Sequence, residues 1–226
     1  MFHIYSPIEF LNISITLEIL FSLITLAVAI YAFKVYNMSY SNRTRNFGLA
    51  FLLVSFSYIS MAMLNRFAFD SFTDFQKSLS LYQLTKTFSL VYLGIYTHAI
   101  FFILGISILL YLTFKKQDKR LLMLIILISL VPIFTLNQFY LAKYLITSLL
   151  LFFIIGGYLE EHKTNKRVKL VLVAFILLLV GNVALIFTAE NFLFYILGNL
   201  LEFIAYSIVL IDLMIIIRKK PSKKIP

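Results

Sequence analysis

Long apolar runs recur along nearly the whole chain, and they restrict its fold more than any other feature. About 20 helical residues are needed to cross a hydrocarbon layer roughly 30 Å thick. Every backbone polar group must be paired inside that layer, which favours helices. The sequence therefore predicts an all-α, polytopic membrane protein with seven transmembrane helices, at 8–33, 47–67, 87–114, 121–136, 140–159, 168–188 and 192–217.

The composition is that of a chain embedded in lipid. Hydrophobic residues make up 62% of the sequence, charged residues make up 13%, and the mean hydropathy is +0.96. Soluble domains usually contain about 25% charged residues. The predicted loops are too short for a soluble domain. The longest, at 68–86, reads as an outer surface loop or a short interfacial helix. We therefore expect a single bundle, located in the cell membrane as a multi-pass protein.

The distribution of basic residues predicts the orientation of this bundle. Three follow the first predicted helix, four follow the third, four lie between the fifth and sixth, and five fall in the tail at 218–226. The remaining four are Arg66, Lys77, Lys86 and Lys143. Because Lys and Arg concentrate in cytoplasmic loops, we expect the amino terminus outside and a basic cytoplasmic tail. The net charge of +10 then indicates contact with anionic lipid head groups, and no nucleic-acid partner is expected.

Three ionisable side chains fall inside the predicted membrane layer. Glu18, His98 and Glu202 lie on the first, third and seventh predicted helices, each on the order of 15 Å from the outer end at 1.5 Å per residue. A charge at that depth is costly, so each side chain should face the bundle interior. Intramembrane Glu and His usually mark a pathway or a binding site.

Other polar residues share helix faces with this trio. Asn199, Glu202 and Tyr206 follow steps of three and four residues on the last predicted helix, and Asn182 lies on the sixth. The candidate ligand- or ion-binding residues are thus Glu18, His98, Glu202, Asn199, Asn182 and Tyr206. The second predicted helix adds a polar face that includes Tyr58 and Asn65.

Several classes of site are excluded by what the sequence lacks. It contains no cysteine, which rules out disulfides and thiolate metal sites. No GxSxG, HExxH or P-loop motif is present, so we expect no catalytic residues, no metal site and no cofactor. His3 and His162 lie far from His98 in the sequence. No basic residue precedes Lys34, so the first predicted helix does not resemble a cleaved signal peptide and is expected to remain in the mature protein.

A weak internal repeat relates the two halves of the chain. "YLGIYTHAIFFILGISILLYLTFKK" from Tyr92 aligns without gaps with "ILGNLLEFIAYSIVLIDLMIIIRKK" from Ile196, and His98 then falls on Glu202. The third predicted helix would correspond to the seventh. This predicts a parallel 3+1+3 repeat, an arrangement found in some transporters.

With seven spans, an outer amino terminus and a last helix "LGNLLEFIAYSIVLIDLMIII" that leads into a basic end, the chain resembles the seven-helix sensory modules that precede prokaryotic histidine kinases. The resemblance implies a non-enzymatic receptor or sensor that binds a small ligand, a proton or an ion. Only "RKKPSKKIP" follows the last span, so the expected signalling partner is a separate soluble protein. The alternatives are a small proton- or cation-coupled secondary transporter and a structural or assembly protein with a merely packed polar core.

Overall fold

The computed structural model describes residues 8–78, 81–114, 118–135, 139–164, 168–189 and 192–218. His3 and the tail beyond Arg218 lie outside this part, as do several basic loop residues, Lys115, Lys116, Lys166 and Arg167 among them. Within the described ranges the chain is all-helical. Its elements are α1 (Ile8–Ser39), α2 (Asn42–Ser78), α3 (Leu81–Tyr111), α4 (Lys119–Thr135), α5 (Phe139–Thr164), α6 (Lys169–Ile186), a 3₁₀ turn (Phe187–Ala189) and α7 (Phe192–Arg218).

Six of these helices are long and apolar enough to cross a membrane. The exception is α4, whose 17 residues extend about 26 Å at 1.5 Å per residue. Large apolar side chains on the outside of the bundle remain exposed, such as Leu23, Ile128 and Phe152. An exposed apolar surface of this kind suits lipid contact. The protein is therefore a multi-pass membrane protein.

Of the two alternatives for 68–86, the surface loop is wrong for most of its length, because helix occupies 68–78 and 81–86. The second helix continues to Ser78, and the third begins at Leu81. Neither glycine nor proline occurs between Gly48 and Gly94, so nothing in the local sequence interrupts the helices. An ion pair of 3.3 Å between Arg66 and Asp70, one turn apart, supports the extension of α2.

Six helices form a closed ring in the described part of the chain. Starting from α1, each packs against the next in the order α1, α2, α3, α5, α6 and α7, and α7 returns to α1. The remaining helix, α4, packs outside this ring against α3 and α5. Side chains of six helices can therefore meet on the ring axis.

Glycines bring two pairs of neighbouring helices into backbone contact. A Cβ atom at Gly105 of α3 would lie 2.8 Å from the carbonyl oxygen of Ala50 on α2. On the other side of the ring, a Cβ atom at Gly181 of α6 would lie 3.0 Å from the carbonyl oxygen of Gly198 on α7. Gly181 precedes Asn182, and Gly198 is one turn from Glu202, so this second contact holds two candidate site residues close together.

Two further contacts join the ends of three helices. The Arg43 guanidinium at the start of α2 forms two hydrogen bonds with the Glu161 carboxylate near the end of α5. A Cβ atom at Gly157 of α5 would lie 2.5 Å from Cβ of Thr113, which follows α3. The start of α2 and the ends of α3 and α5 therefore lie at the same end of the bundle.

Candidate intramembrane site

Every helix of the ring contributes polar side chains to one cluster near the bundle axis. These are Ser14 and Glu18 from α1, Ser57, Tyr58 and Asn65 from α2, His98 from α3, Lys143 from α5, Asn182 from α6, and Tyr195, Asn199, Glu202 and Tyr206 from α7. Polar side chains inside a bundle are stabilised only when they find partners, and most of these do.

A lysine and a histidine form one buried contact of the cluster. The Nζ atom of Lys143 lies 2.7 Å from Nε2 of His98, and the two residues are 6% and 7% exposed. The ammonium group also lies 4.9 Å from the ring centre of Phe102 and 4.4 Å from that of Tyr144. Aromatic faces attract a desolvated cation, so this environment suits a charged lysine.

Ser57 determines which nitrogen of His98 carries the proton. Its hydroxyl lies 3.0 Å from the carbonyl oxygen of His98 and within hydrogen-bond distance of Nδ1. The single hydroxyl proton can be donated to the carbonyl, so the hydroxyl oxygen accepts from Nδ1–H. The Nε2 atom is then a bare acceptor for the Lys143 ammonium. This arrangement holds a neutral imidazole beside one positive charge.

Glu202 accepts hydrogen bonds from two other helices. The Tyr58 hydroxyl donates to its Oε2 atom at 2.9 Å, and the Asn182 amide donates to Oε1 at 3.4 Å. The Tyr206 hydroxyl lies 3.2 Å from that of Tyr58 and extends the network. Glu202 is only 4% exposed. Because both carboxylate oxygens face donors, the network suits the ionised form.

Glu18 has an equivalent but separate set of donors. The amide nitrogen of Asn65 lies 2.9 Å and 3.1 Å from its two carboxylate oxygens, and the Ser14 hydroxyl donates to one of them at 3.1 Å. Glu18 is half-buried, unlike Glu202. Here too all contacts are donors, as an ionised carboxylate requires.

These groups surround a cavity of about 110 Å³. Its polar lining consists of Ser14, Glu18, Tyr58, His98, Lys143, Tyr144, Tyr195, Asn199 and Glu202. Lys143 interacts electrostatically with both carboxylates. No ion pair within 4 Å links it to Glu18 or Glu202 in the described part of the chain. The cavity can hold a few water molecules or a small ligand.

The structure brings together the three ionisable residues singled out in the sequence. Glu18, His98 and Glu202 all line the cavity, as does Asn199, whose amide also donates to the Tyr195 carbonyl at 2.7 Å. The other two candidates do not line the cavity. Asn182 contacts Glu202 directly, and Tyr206 reaches the cluster through Tyr58.

Lys143 is not among the site residues predicted from the sequence. It counts only among the four basic residues that fall outside the predicted cytoplasmic segments. The structure instead buries it beside His98. A signal for this was present, because Lys143 is a single basic residue in the otherwise apolar stretch "FYLAKYLITSLLLFF". Near a helix end, however, lysine can also extend its ammonium group to the membrane surface, and the sequence does not separate these two cases.

The cluster is not arranged as a centre for a transition metal such as zinc. In the residues that the structure describes, no group of three or more His, Cys, Asp or Glu side chains could hold a metal ion. The Nε2 atom of His98, which a metal would need, already accepts from Lys143.

No protein-family model, no curated protein and no solved structure matches this chain. Function is therefore inferred from the geometry of the intramembrane cluster.

Proposed function

We propose that this protein is a non-enzymatic membrane receptor or sensor, in which a small ligand, a proton or an ion binds in the cavity and biases the packing of the helices. One observation carries the proposal: six helices place polar or charged side chains in a single cluster around the cavity. A ligand that contacts the cluster therefore interacts with helices from all around the ring. Such a ligand shifts the packing only if it binds one arrangement more tightly than another.

The proposed orientation places the amino terminus outside, the tail in the cytoplasm and seven helices across the membrane. The contact of Gly157 with Thr113 joins the ends of α3 and α5 and supports the crossing of α4, whereas the choice of cytoplasmic side follows from the basic residues of the loops. Because α3 and α5 finish at the same end of the bundle, α4 must run from that end to the opposite one before α5 begins. A signal generated at the cavity would then reach a soluble partner at the basic end.

Cysteine labelling tests this orientation directly, because the natural chain has no cysteine. Tyr40 is 81% exposed between α1 and α2, and Leu81 is 78% exposed at the start of α3. An impermeant maleimide should label Leu81→Cys in intact cells and Tyr40→Cys only after permeabilisation. Thr135→Cys, at the end of α4, should be labelled from outside if α4 crosses the membrane. The opposite pattern would overturn the proposed topology.

Distances between helix ends test the sensing role. Spin labels at Ser39→Cys and Lys163→Cys report on the ends of α1 and α5, and both positions are exposed. We expect one member of a panel of small amines, amino acids, carboxylates and alkali cations to shift the distance distribution. Glu202→Gln in the labelled protein should abolish the shift. In proteoliposomes the same compound should bind saturably without net flux. If no member changes the distance, the sensor proposal fails.

A small secondary transporter is the second candidate. Its support is that α4 lies outside the ring and leaves α1–α3 and α5–α7 as two groups of three, as a 3+1+3 repeat requires. In addition, the buried hydroxyls of Ser107, Thr147 and Ser148 have no hydrogen-bond partner in the described part of the chain. Accumulation of a panel compound under a proton gradient would favour transport. A structural protein with a packed polar core would show neither a distance change nor flux.

A further inference from the structure

We infer that the ligand of the cavity carries a single positive charge, as an alkali cation or a proton does, and that Glu18 and Glu202 hold it. This inference rests on the proposed function and names the chemistry of its ligand. It follows from the charges that surround the cavity and from the donors that each of them already has.

With Glu18 and Glu202 both ionised, the charges that line the cavity do not balance. The hydrogen bonds received by Glu18 and Glu202 suit two ionised carboxylates. Lys143 supplies one positive charge, and His98, with Nδ1–H donating to Ser57 and Nε2 accepting, supplies none. One negative charge is left without compensation inside the membrane layer. An unpaired charge there is unfavourable, and one bound positive charge would remove the imbalance.

Lys143 does not neutralise either carboxylate by direct contact. Its ammonium group contacts His98 and the faces of Phe102 and Tyr144. Lys143 and the two acids line the same cavity, and no ion pair within 4 Å joins them in the described part of the chain. A cation bound between the acids would therefore not need to displace Lys143.

Oxygen atoms around the cavity suit a small hard cation. Besides the carboxylates, the lining includes the hydroxyls of Ser14 and Tyr195 and the amide of Asn199. Hard cations prefer carboxylate, carbonyl, hydroxyl and water oxygens. A volume of about 110 Å³ accommodates one such ion with a few waters.

A proton would neutralise the same negative charge. The experiment therefore has to distinguish a bound proton from a bound alkali cation. The titratable groups that line the cavity or contact its carboxylates are Glu18 on α1, Tyr58 on α2, His98 on α3, Lys143 and Tyr144 on α5, and Tyr195, Glu202 and Tyr206 on α7. The polar contact that α6 makes with them is through the non-titratable Asn182. Either carboxylate could take up the proton.

The experiment measures the thermal midpoint of the full chain in detergent, at constant ionic strength. In one arm choline chloride is replaced by LiCl, NaCl or KCl at fixed pH. In the other arm the pH is lowered from about 8 to about 5 in choline chloride, the range in which Glu and His titrate. A ligand that binds only the folded state raises the midpoint, by about 5 °C or more at a hundred times its dissociation constant. We expect a saturable rise in one of the two arms.

Substitutions assign the rise to the cavity. Glu18→Gln and Glu202→Gln should each abolish it, whereas Glu160→Gln, an exposed glutamate near the end of α5, should leave it unchanged. Lys143→Met removes the competing positive charge and should lower the half-saturating cation concentration roughly tenfold. Because Glu18 is only half-buried, the Glu18→Gln variant decides the question even if Glu202→Gln does not fold.

The outcomes separate this inference from the proposed function. A rise with alkali cations identifies a metal cation, and a rise only with falling pH identifies a proton. If neither arm stabilises the protein, or if Glu160→Gln abolishes the effect as fully as Glu18→Gln, the inference is overturned. The receptor proposal would then survive for a neutral ligand. Cation binding that requires both acids but changes no distance between helix ends would instead overturn the receptor proposal alone.

Discussion

The Nζ atom of Lys143 lies 2.7 Å from Nε2 of His98, a contact between an ammonium group and a neutral imidazole inside an apolar bundle. It joins α3 to α5 at a place where the helix between them in sequence, α4, packs outside the ring. The pair is favoured with a single positive charge on Lys143, because a second proton on His98 would place two cations in contact. This charge offsets part of the negative charge of Glu18 and Glu202.

Lys143→Met should destabilise the bundle strongly. The substitution keeps the apolar length of the side chain but leaves two buried carboxylates without any compensating charge nearby. Removal of one partner from a buried charge network typically costs about 3–5 kcal/mol. We expect a fall in the thermal midpoint of roughly 10 °C, measured as the fraction of monodisperse protein after heating. Lys86→Met, at an exposed position on α3, is the matched control and should change the midpoint little.

A partial rescue would establish that the loss is electrostatic. Lys143→Met combined with Glu202→Gln removes one charge of each sign, so the double variant should be more stable than the sum of the single effects predicts. Strict additivity of the two substitutions would show that Lys143 acts through packing alone.

Ser57→Ala should remove the hydrogen bond that favours the tautomer of His98 protonated at Nδ1. The hydroxyl accepts from Nδ1–H, and its loss leaves a buried donor unpaired, which costs about 1–3 kcal/mol. In the natural protein, ¹⁵N chemical shifts of the ring should identify a neutral imidazole protonated at Nδ1. Ser60→Ala is the control, because that hydroxyl donates to the carbonyl of Ser57 on its own helix. An Nε2-protonated ring in the natural protein would contradict the assignment.

The sequence predicts the number and order of the helices, because each apolar run is long enough to cross a bilayer, but it does not predict how far α2 and α3 extend beyond their apolar runs. It also predicts that Glu18, His98 and Glu202 face the interior, since an ionisable group exposed to lipid is costly. The sequence does not predict which side chains these three residues contact. Which side chains meet depends on the order of the helices around the ring, and that order results from close packing at sites such as Gly105 and Gly181. Neither the burial of Lys143 nor the position of α4 outside the ring can be derived from the spacing of residues in one chain.

Tyr58→Phe should cost more stability than Tyr206→Phe, although both remove one hydroxyl from the same network. Tyr58 donates to the Glu202 carboxylate, and hydrogen bonds to charged groups contribute about 1.5–3 kcal/mol. The Tyr206 hydroxyl contacts the neutral hydroxyl of Tyr58, and a hydrogen bond between two neutral groups contributes about 1 kcal/mol. Thermal midpoints of the two variants provide the comparison. Equal losses would indicate that Glu202 does not depend on Tyr58 for its stability.

Gly105→Ala should destabilise the packing of α2 against α3. The added Cβ atom would lie 2.8 Å from the carbonyl oxygen of Ala50 and 2.7 Å from a methyl group of Val54, so the helices must separate. Overpacking of this kind costs about 1–3 kcal/mol.

Gly156→Ala on α5 is the matched control, because a Cβ atom there meets nothing within 4 Å. It should stabilise the protein by up to about 1 kcal/mol, since alanine favours a helix more than glycine does. Opposite signs for the two substitutions, measured as thermal midpoints, would establish that close backbone approach and not helix propensity selects glycine at position 105. Two shifts of the same sign would contradict it.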